Sequence, residues 1–208
     1  MTIFTKTYKE PPICEKEILR YAGCKEASDD VTELMHSCID EARLCLSYKV
    51  CYCELSVKVE EDVCDFGNFS VASGDLVKCL AGSNRVVLFG ATVGSSLDRL
   101  IAKYSRISPS RALMLQAIGA ERIEALCDAF CKESGCGVRF SPGYGDLSLQ
   151  VQKKIFDILN CEKHIGLTLN DSLVMSPSKS VTAFAVSGKA KNKCKSCKKT
   201  DCAYRGAL

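Results

Sequence analysis

The chain has 208 residues, 47% hydrophobic and 25% charged, enough apolar material for one sizeable core with at most a small appendage. No run approaches the roughly 18–20 apolar residues that a membrane-spanning helix needs, and residues 1–10 lack the basic-then-apolar order of a secretion signal, so a cytoplasmic protein with no membrane role is expected. The net charge of +3 is uneven, because residues 188–208 hold six Lys and one Arg against one Asp, while residues 1–187 hold 21 basic and 24 acidic side chains. We therefore expect a mildly acidic domain over residues 1–187 and a basic, Cys-rich tail over residues 188–208; a nucleic-acid role would rest on the tail alone and is not expected.

Fifteen cysteines would suggest a disulfide framework in a secreted protein. Here the count is odd, there is no export signal, and pairs such as Cys38 and Cys45 or Cys127 and Cys131 sit inside apolar patterns, where a free thiol packs as a small hydrophobe. Core filler in a reducing cytosol is the expectation for the first twelve, and an anaerobic source fits it.

Pro11 and Pro12 close a short leader, and residues 15–21 form a short helix ending near Gly23. From residue 29 to 47, Val31, Leu34, Met35, Cys38, Ile39, Ala42 and Cys45 follow the spacing of an amphipathic helix, capped by Ser28 or Asp29. Residues 49–60 alternate and are rich in Val, Tyr and Cys, which predicts a strand paired with a second strand over residues 65–71. Residues 85–89 are a compact apolar strand, followed after Gly94 by a helix over residues 97–104. Ser108 and Pro109 then open a long helix that carries Leu115, Ile118, Ile123, Leu126 and Phe130 and stops at Gly135. Residues 138–140 are a brief strand, residues 147–159 a helix, and residues 167–169, 172–175 and 181–186 strands. This irregular interleaving predicts an α+β fold, a mixed or antiparallel twisted sheet flanked by helices.

The segment Arg139-Phe140-Ser141-Pro142-Gly143-Tyr144-Gly145 packs a guanidinium, a rigid turn residue, two glycines and an aromatic into seven positions. An arginine can grip a carboxylate through two parallel hydrogen bonds, glycine lets backbone groups approach a ligand, and a tyrosine face suits an adenine or a sulfonium cation. By itself the segment reads as a plain Pro-Gly turn between strand and helix with Arg139 in a surface ion pair. However, it resembles the Arg-x-x-Pro-Gly-Tyr signature of the activation domain of cobalamin-dependent methionine synthases. Downstream, Glu162-Lys163-His164-Ile165-Gly166, Leu169, Ser172, Met175, Pro177 and Ser180-Val181 are similar to that family in order and spacing. Upstream, Ala91-Thr92-Val93-Gly94 with Asp98, Arg99 and Ile101 is similar to its short, stand-alone members.

The resemblance implies the family's fold and binding of S-adenosylmethionine. Arg139 would contact the cofactor carboxylate, while Ser141, Pro142, Gly143 and Tyr144 would frame the adenosine. Glu124 is similar to a glutamate that the family directs toward the cofactor, against the alternative of a solvated helix face. The implied role is to support reductive methylation of cob(II)alamin carried by a partner: a corrinoid-binding protein or methionine synthase modules, served by an electron donor. Three departures stand out: Gly145 replaces a proline, Ala185 occupies the place of an aromatic beside the cofactor, and no acidic residue near Tyr21 matches the one that larger members supply.

His164, at a helix end, suits a structural role in which it bonds the last carbonyls and the helix dipole; His36 has no assigned chemistry. In the tail, Cys194-x-x-Cys197-x-x-x-x-Cys202 places three thiols within nine residues among lysines. That spacing suits an iron–sulfur cluster or zinc with a fourth ligand from elsewhere, a redox-active thiol set, or a flexible tail. A metal there would make the chain an electron-transfer accessory protein for a corrinoid partner, the rival reading.

Overall fold

In the computed structural model, residues 1–24, 26–80 and 82–187 are described. Five strands form the central sheet: β1 (Phe4–Tyr8), β2 (Tyr48–Ser56), β6 (Arg85–Thr92), β7 (Cys136–Phe140) and β10 (Ser180–Ser187). Their order is β1-β2-β6-β10-β7, and every pairing is antiparallel. Hence the fold is α+β around an antiparallel sheet, as expected, and the mixed alternative drops out.

The sheet is buried on both faces because its strands carry apolar residues at both parities. Tyr48 and Val50 of β2, Phe89 and Ala91 of β6, and Ala183 and Ala185 of β10 pack under α1 (Glu15–Tyr21), α2 (Asp29–Arg43), α4 (Ser96–Ile107) and α5 (Pro109–Glu133). The opposite parity, Cys51 and Cys53, Val86 and Leu88, Phe140, Phe184 and Val186, packs against α3 (Gly74–Leu80), α6 (Val151–Leu159), α7 (Cys161–Ile165) and a small sheet. Eight of the twelve described cysteines are buried and none is in a disulfide, which fits the core-filler expectation.

α2 begins where expected, with Ser28 Oγ accepting from the Val31 N–H, and buries Met35, Cys38, Ile39 and Ala42. α5 runs 25 residues, about 37 Å at 1.5 Å per residue. Midway it carries a fully buried Arg122, which donates to the carbonyls of Pro11 (2.6 Å) and Pro12 (2.8 Å) and to Glu121. Glu121 also accepts from the Cys14 N–H at 3.0 Å. This ion pair fastens the chain before α1 to the long helix.

Several expectations change. The leader is the edge strand β1, whose Phe4–Tyr8 sequence has one exposed face and therefore too little alternation to announce itself. The strand expected over residues 49–60 breaks at Val57 and resumes as β3 (Lys58–Glu60), which pairs with β4 (Val63–Asp65) and, through it, β5 (Ser70–Ala72). α3 was not foreseen. The helix expected from residue 147 starts at Val151, and Asn160, in a left-handed conformation, separates α7 from it. The strand expected over residues 172–175 shrinks to β9 (Met175–Ser176), paired with β8 (Thr168–Leu169). No helix among the described residues is long and apolar enough to cross a membrane.

Candidate functional site

The sheet itself creates the opening. β10 pairs with β6 from Ser180 to Ala185 but with β7 only from Phe184 onward, because β7 ends at Phe140 and the chain turns away. One flank of β10 near Ser180 and Thr182 is thus left to the loop that follows β7. A cavity of about 600 Å³ lies there, within the range of small-molecule sites.

Arg139 stands opposite Ala185 in the sheet, so its side chain leaves on the α5 face. Glu124 and Asp128, one helical turn apart on α5, both reach its guanidinium: Nη2 to Glu124 Oε2 is 2.8 Å and Nη1 to Asp128 Oδ1 is 2.5 Å. The arginine side chain is 24% exposed, against 46% and 74% for the two acids. Glu124 has nearly half its surface accessible, yet burial raises its carboxyl pKa; Arg139 opposes that rise and the Asp128 charge adds to it. The cluster is one cation between two acids.

The loop is a tight turn. Tyr144 N–H donates to Ser141 O (3.3 Å), Gly143 N–H to Leu147 O (2.8 Å), and Gly143 has φ +89°. Asp146 anchors the loop to the start of α3 by accepting from the Ser73 hydroxyl and from the N–H groups of Gly74 (2.8 Å) and Asp75 (3.2 Å). Those bonds, that from Ser73 foremost, hold its carboxyl below the ordinary range. The anchoring draws the backbone so close to α3 that a Cβ on Gly145 would lie 2.5 Å from Asp75 Oδ2, at φ +57°. A proline, fixed near −65°, cannot adopt that conformation, which accounts for the first departure.

Arg139, Glu124, Ser141, Pro142 and Tyr144 all line the cavity, with Tyr144, 69% exposed, at its rim. Gly143 makes the turn without lining it. Asp128, Gln152 and Thr182 were missed. Asp128 was signalled by its position one turn after Glu124. Gln152 is a polar residue on the buried stripe of α6, in register with Ile155 and Leu159. Thr182 shares the parity of Phe184 and Val186 in β10.

The other departures resolve differently. Ala185 is fully buried beneath α5 and does not line the cavity. Glu17 of α1, paired with Arg20 at 2.6 Å, lines a neighbouring hollow of about 420 Å³ together with Tyr21, Glu124 and Asp128. It is the acid of the amino-terminal part that comes near the site. His164 meets Thr5 Oγ1 of β1 at 3.2 Å, while Gly166 in a left-handed conformation caps α7, so its partner is a strand hydroxyl instead of helix carbonyls. His36 sits 3.0 Å from Glu15. Cys194, Cys197 and Cys202 lie outside the described residues, among which no group of three or more His, Cys, Asp or Glu side chains could hold a metal ion.

Residues 120–200 match the family described as vitamin B12 dependent methionine synthase, activation domain. The fold is similar to a crystal structure of the MetH reactivation domain bound to AdoHcy, with TM-score 0.68 and 14% identity, covering 92% of this chain and 80% of that one. A curated protein, E3 ubiquitin-protein ligase UPL3 of Arabidopsis thaliana, is 28% identical over 103 residues, 48% of this chain. The chain spans 5% of that protein's length, a share too small to carry a functional argument. Over residues 120–200 the sequence pattern is similar to that of the vitamin B12 dependent methionine synthase activation domain, and over nearly its whole length the chain shares the fold of the MetH reactivation domain.

Proposed function

We propose that the cavity binds S-adenosylmethionine and that the chain serves as a reactivation partner for a cobalamin-dependent methionine synthase or a related corrinoid methyltransferase. One observation carries this reading: at the cavity wall a guanidinium stands between two carboxylates. An α-amino acid end carries the complementary pair, so its carboxylate can take Arg139 while its ammonium takes Glu124, the acid that lines the cavity. Arg139 and the acid that takes the ammonium each keep a partner through the exchange. With both acids ionised the cluster bears one net negative charge, which favours a ligand with one net positive charge over its neutral, demethylated form.

The bound ligand would supply a transferable methyl group on sulfur, with the accepting corrinoid carried by the partner. This chain's part is positional. The Asp146 anchor and the two left-handed glycines hold the loop in one conformation, Tyr144 offers a ring face at the rim to the sulfonium or the base, and Arg139 fixes the amino-acid end. Calorimetric titration with S-adenosylmethionine tests the reading. Saturable binding that is markedly weakened in Arg139→Ala is expected, and no heat at millimolar ligand refutes it. Restored turnover of an oxidised cobalamin-dependent methionine synthase lacking its own activation domain, on adding this chain and a reductant, tests the reactivation role.

A further inference from the structure

Two polar atoms at this cavity are left without a partner. Gln152 is 5% exposed and Thr182 is 2% exposed; both line the cavity, and neither Gln152 Oε1 nor Thr182 Oγ1 has a hydrogen bond among the described residues. Buried hydroxyl and amide groups are rarely left so, since each orphan forfeits its water without compensation. Their neighbours behave normally: Ser180 Oγ, on the same strand and parity, bonds Thr92 Oγ1 and Pro177 O, each at 2.8 Å. The two orphans share one place. Thr182 leaves β10 on the face of Phe184, toward α6, and Gln152 leaves α6 toward the sheet.

Arg139 leaves the sheet on the other face, toward α5. The cavity therefore passes around the sheet edge where β7 stops, with an ionic end on one face and an uncharged hydrogen-bonding end on the other. A ligand whose amino-acid end pairs with Arg139 presents its opposite end to Gln152 and Thr182. We propose that Gln152 and Thr182 are specificity-determining residues that read the edge of an aminopurine base; this rests on the amino-acid end lying at Arg139 as set out above. A carboxamide both accepts and donates, the complement of an exocyclic amino group beside a ring nitrogen, and the threonine hydroxyl can serve a further ring or ribose atom. A site that desolvates such groups in advance rejects an analogue lacking the matching atom, because the orphan then remains unpaired.

The test compares S-adenosylhomocysteine with its analogue in which the base's amino group is replaced by hydrogen. Affinities are read by calorimetry on the full chain and on Gln152→Leu and Thr182→Val. The wild type is expected to prefer the amino form by roughly tenfold or more. Gln152→Leu should bind both forms within twofold of each other, and Thr182→Val should weaken both. Neither substitution should lower the unfolding temperature of the ligand-free protein, since each removes an orphan that a merely structural role would have partnered. A wild type that binds both forms equally, with Gln152→Leu indistinguishable from it, overturns the inference and leaves the cavity's ligand standing. A wild type that binds neither at millimolar concentration overturns the ligand reading itself, and the inference with it.

Discussion

Replacing Arg139 by alanine separates the ligand-holding role of this side chain from its structural one. In the ligand-free protein it makes two ion pairs, but the acids are 46% and 74% exposed. Solvent screening then leaves each pair worth about 0.5 kcal/mol. Adding the repulsion between Glu124 and Asp128 one turn apart, about 0.5 kcal/mol, the substitution should cost about 1.5 kcal/mol. For a chain of this length that corresponds to a fall of about 3–6 °C in unfolding temperature. The effect on binding is larger. Two charge-assisted hydrogen bonds to a carboxylate in a partly enclosed site are worth about 1.5–3 kcal/mol, so affinity for S-adenosylmethionine should fall about 10- to 150-fold. Arg139→Lys keeps the charge but not the paired geometry and should lie between the two. Calorimetry paired with thermal unfolding reads both quantities on the same samples. An alanine variant that unfolds earlier yet binds within twofold of wild type would refute the reasoning, reducing Arg139 to a brace between α5 and β7.

Because burial raises the pKa of Glu124, the folded state holds that proton more tightly than the unfolded chain does. Its contribution to stability is present below the ordinary carboxylate value and is lost as pH rises through the raised one. Glu124→Gln should therefore flatten that slope in pH-dependent denaturation without lowering the neutral-pH unfolding temperature, while weakening a cationic ligand roughly tenfold. Gly145→Ala should cost about 1–3 kcal/mol by chemical denaturation, and Gly145→Pro more, because φ is +57° and Asp75 occupies the space a Cβ needs; a neutral outcome would show that the loop relaxes freely. Arg122→Met should cost about 3–5 kcal/mol by leaving Glu121 buried and unpaired. Adding Glu121→Gln should recover part of that loss, and an equal or greater loss in the double variant would argue against an uncompensated charge as its cause.

The elements legible in the sequence are those whose residues report on their own surroundings. The apolar stripe of α2, the Ser108-Pro109 opening of α5 and the apolar runs of β6 and β10 each encode burial at a fixed period, and the Arg139 to Tyr144 turn is a contiguous chemical string. Short or one-sided elements were not legible: β1 gains its place only by pairing with β2, and α3 only by receiving Asp146 at its start. The cavity was decided by tertiary structure alone. It exists because β7 is shorter than β10 and because α5, α6 and the sheet bring residues 124, 139, 152 and 182 together. Gln152 and Thr182 show the physical reason most plainly. A glutamine on a helix stripe and a threonine in a strand are unremarkable until burial removes their water, and burial is a property of the assembled layers, not of the local chain.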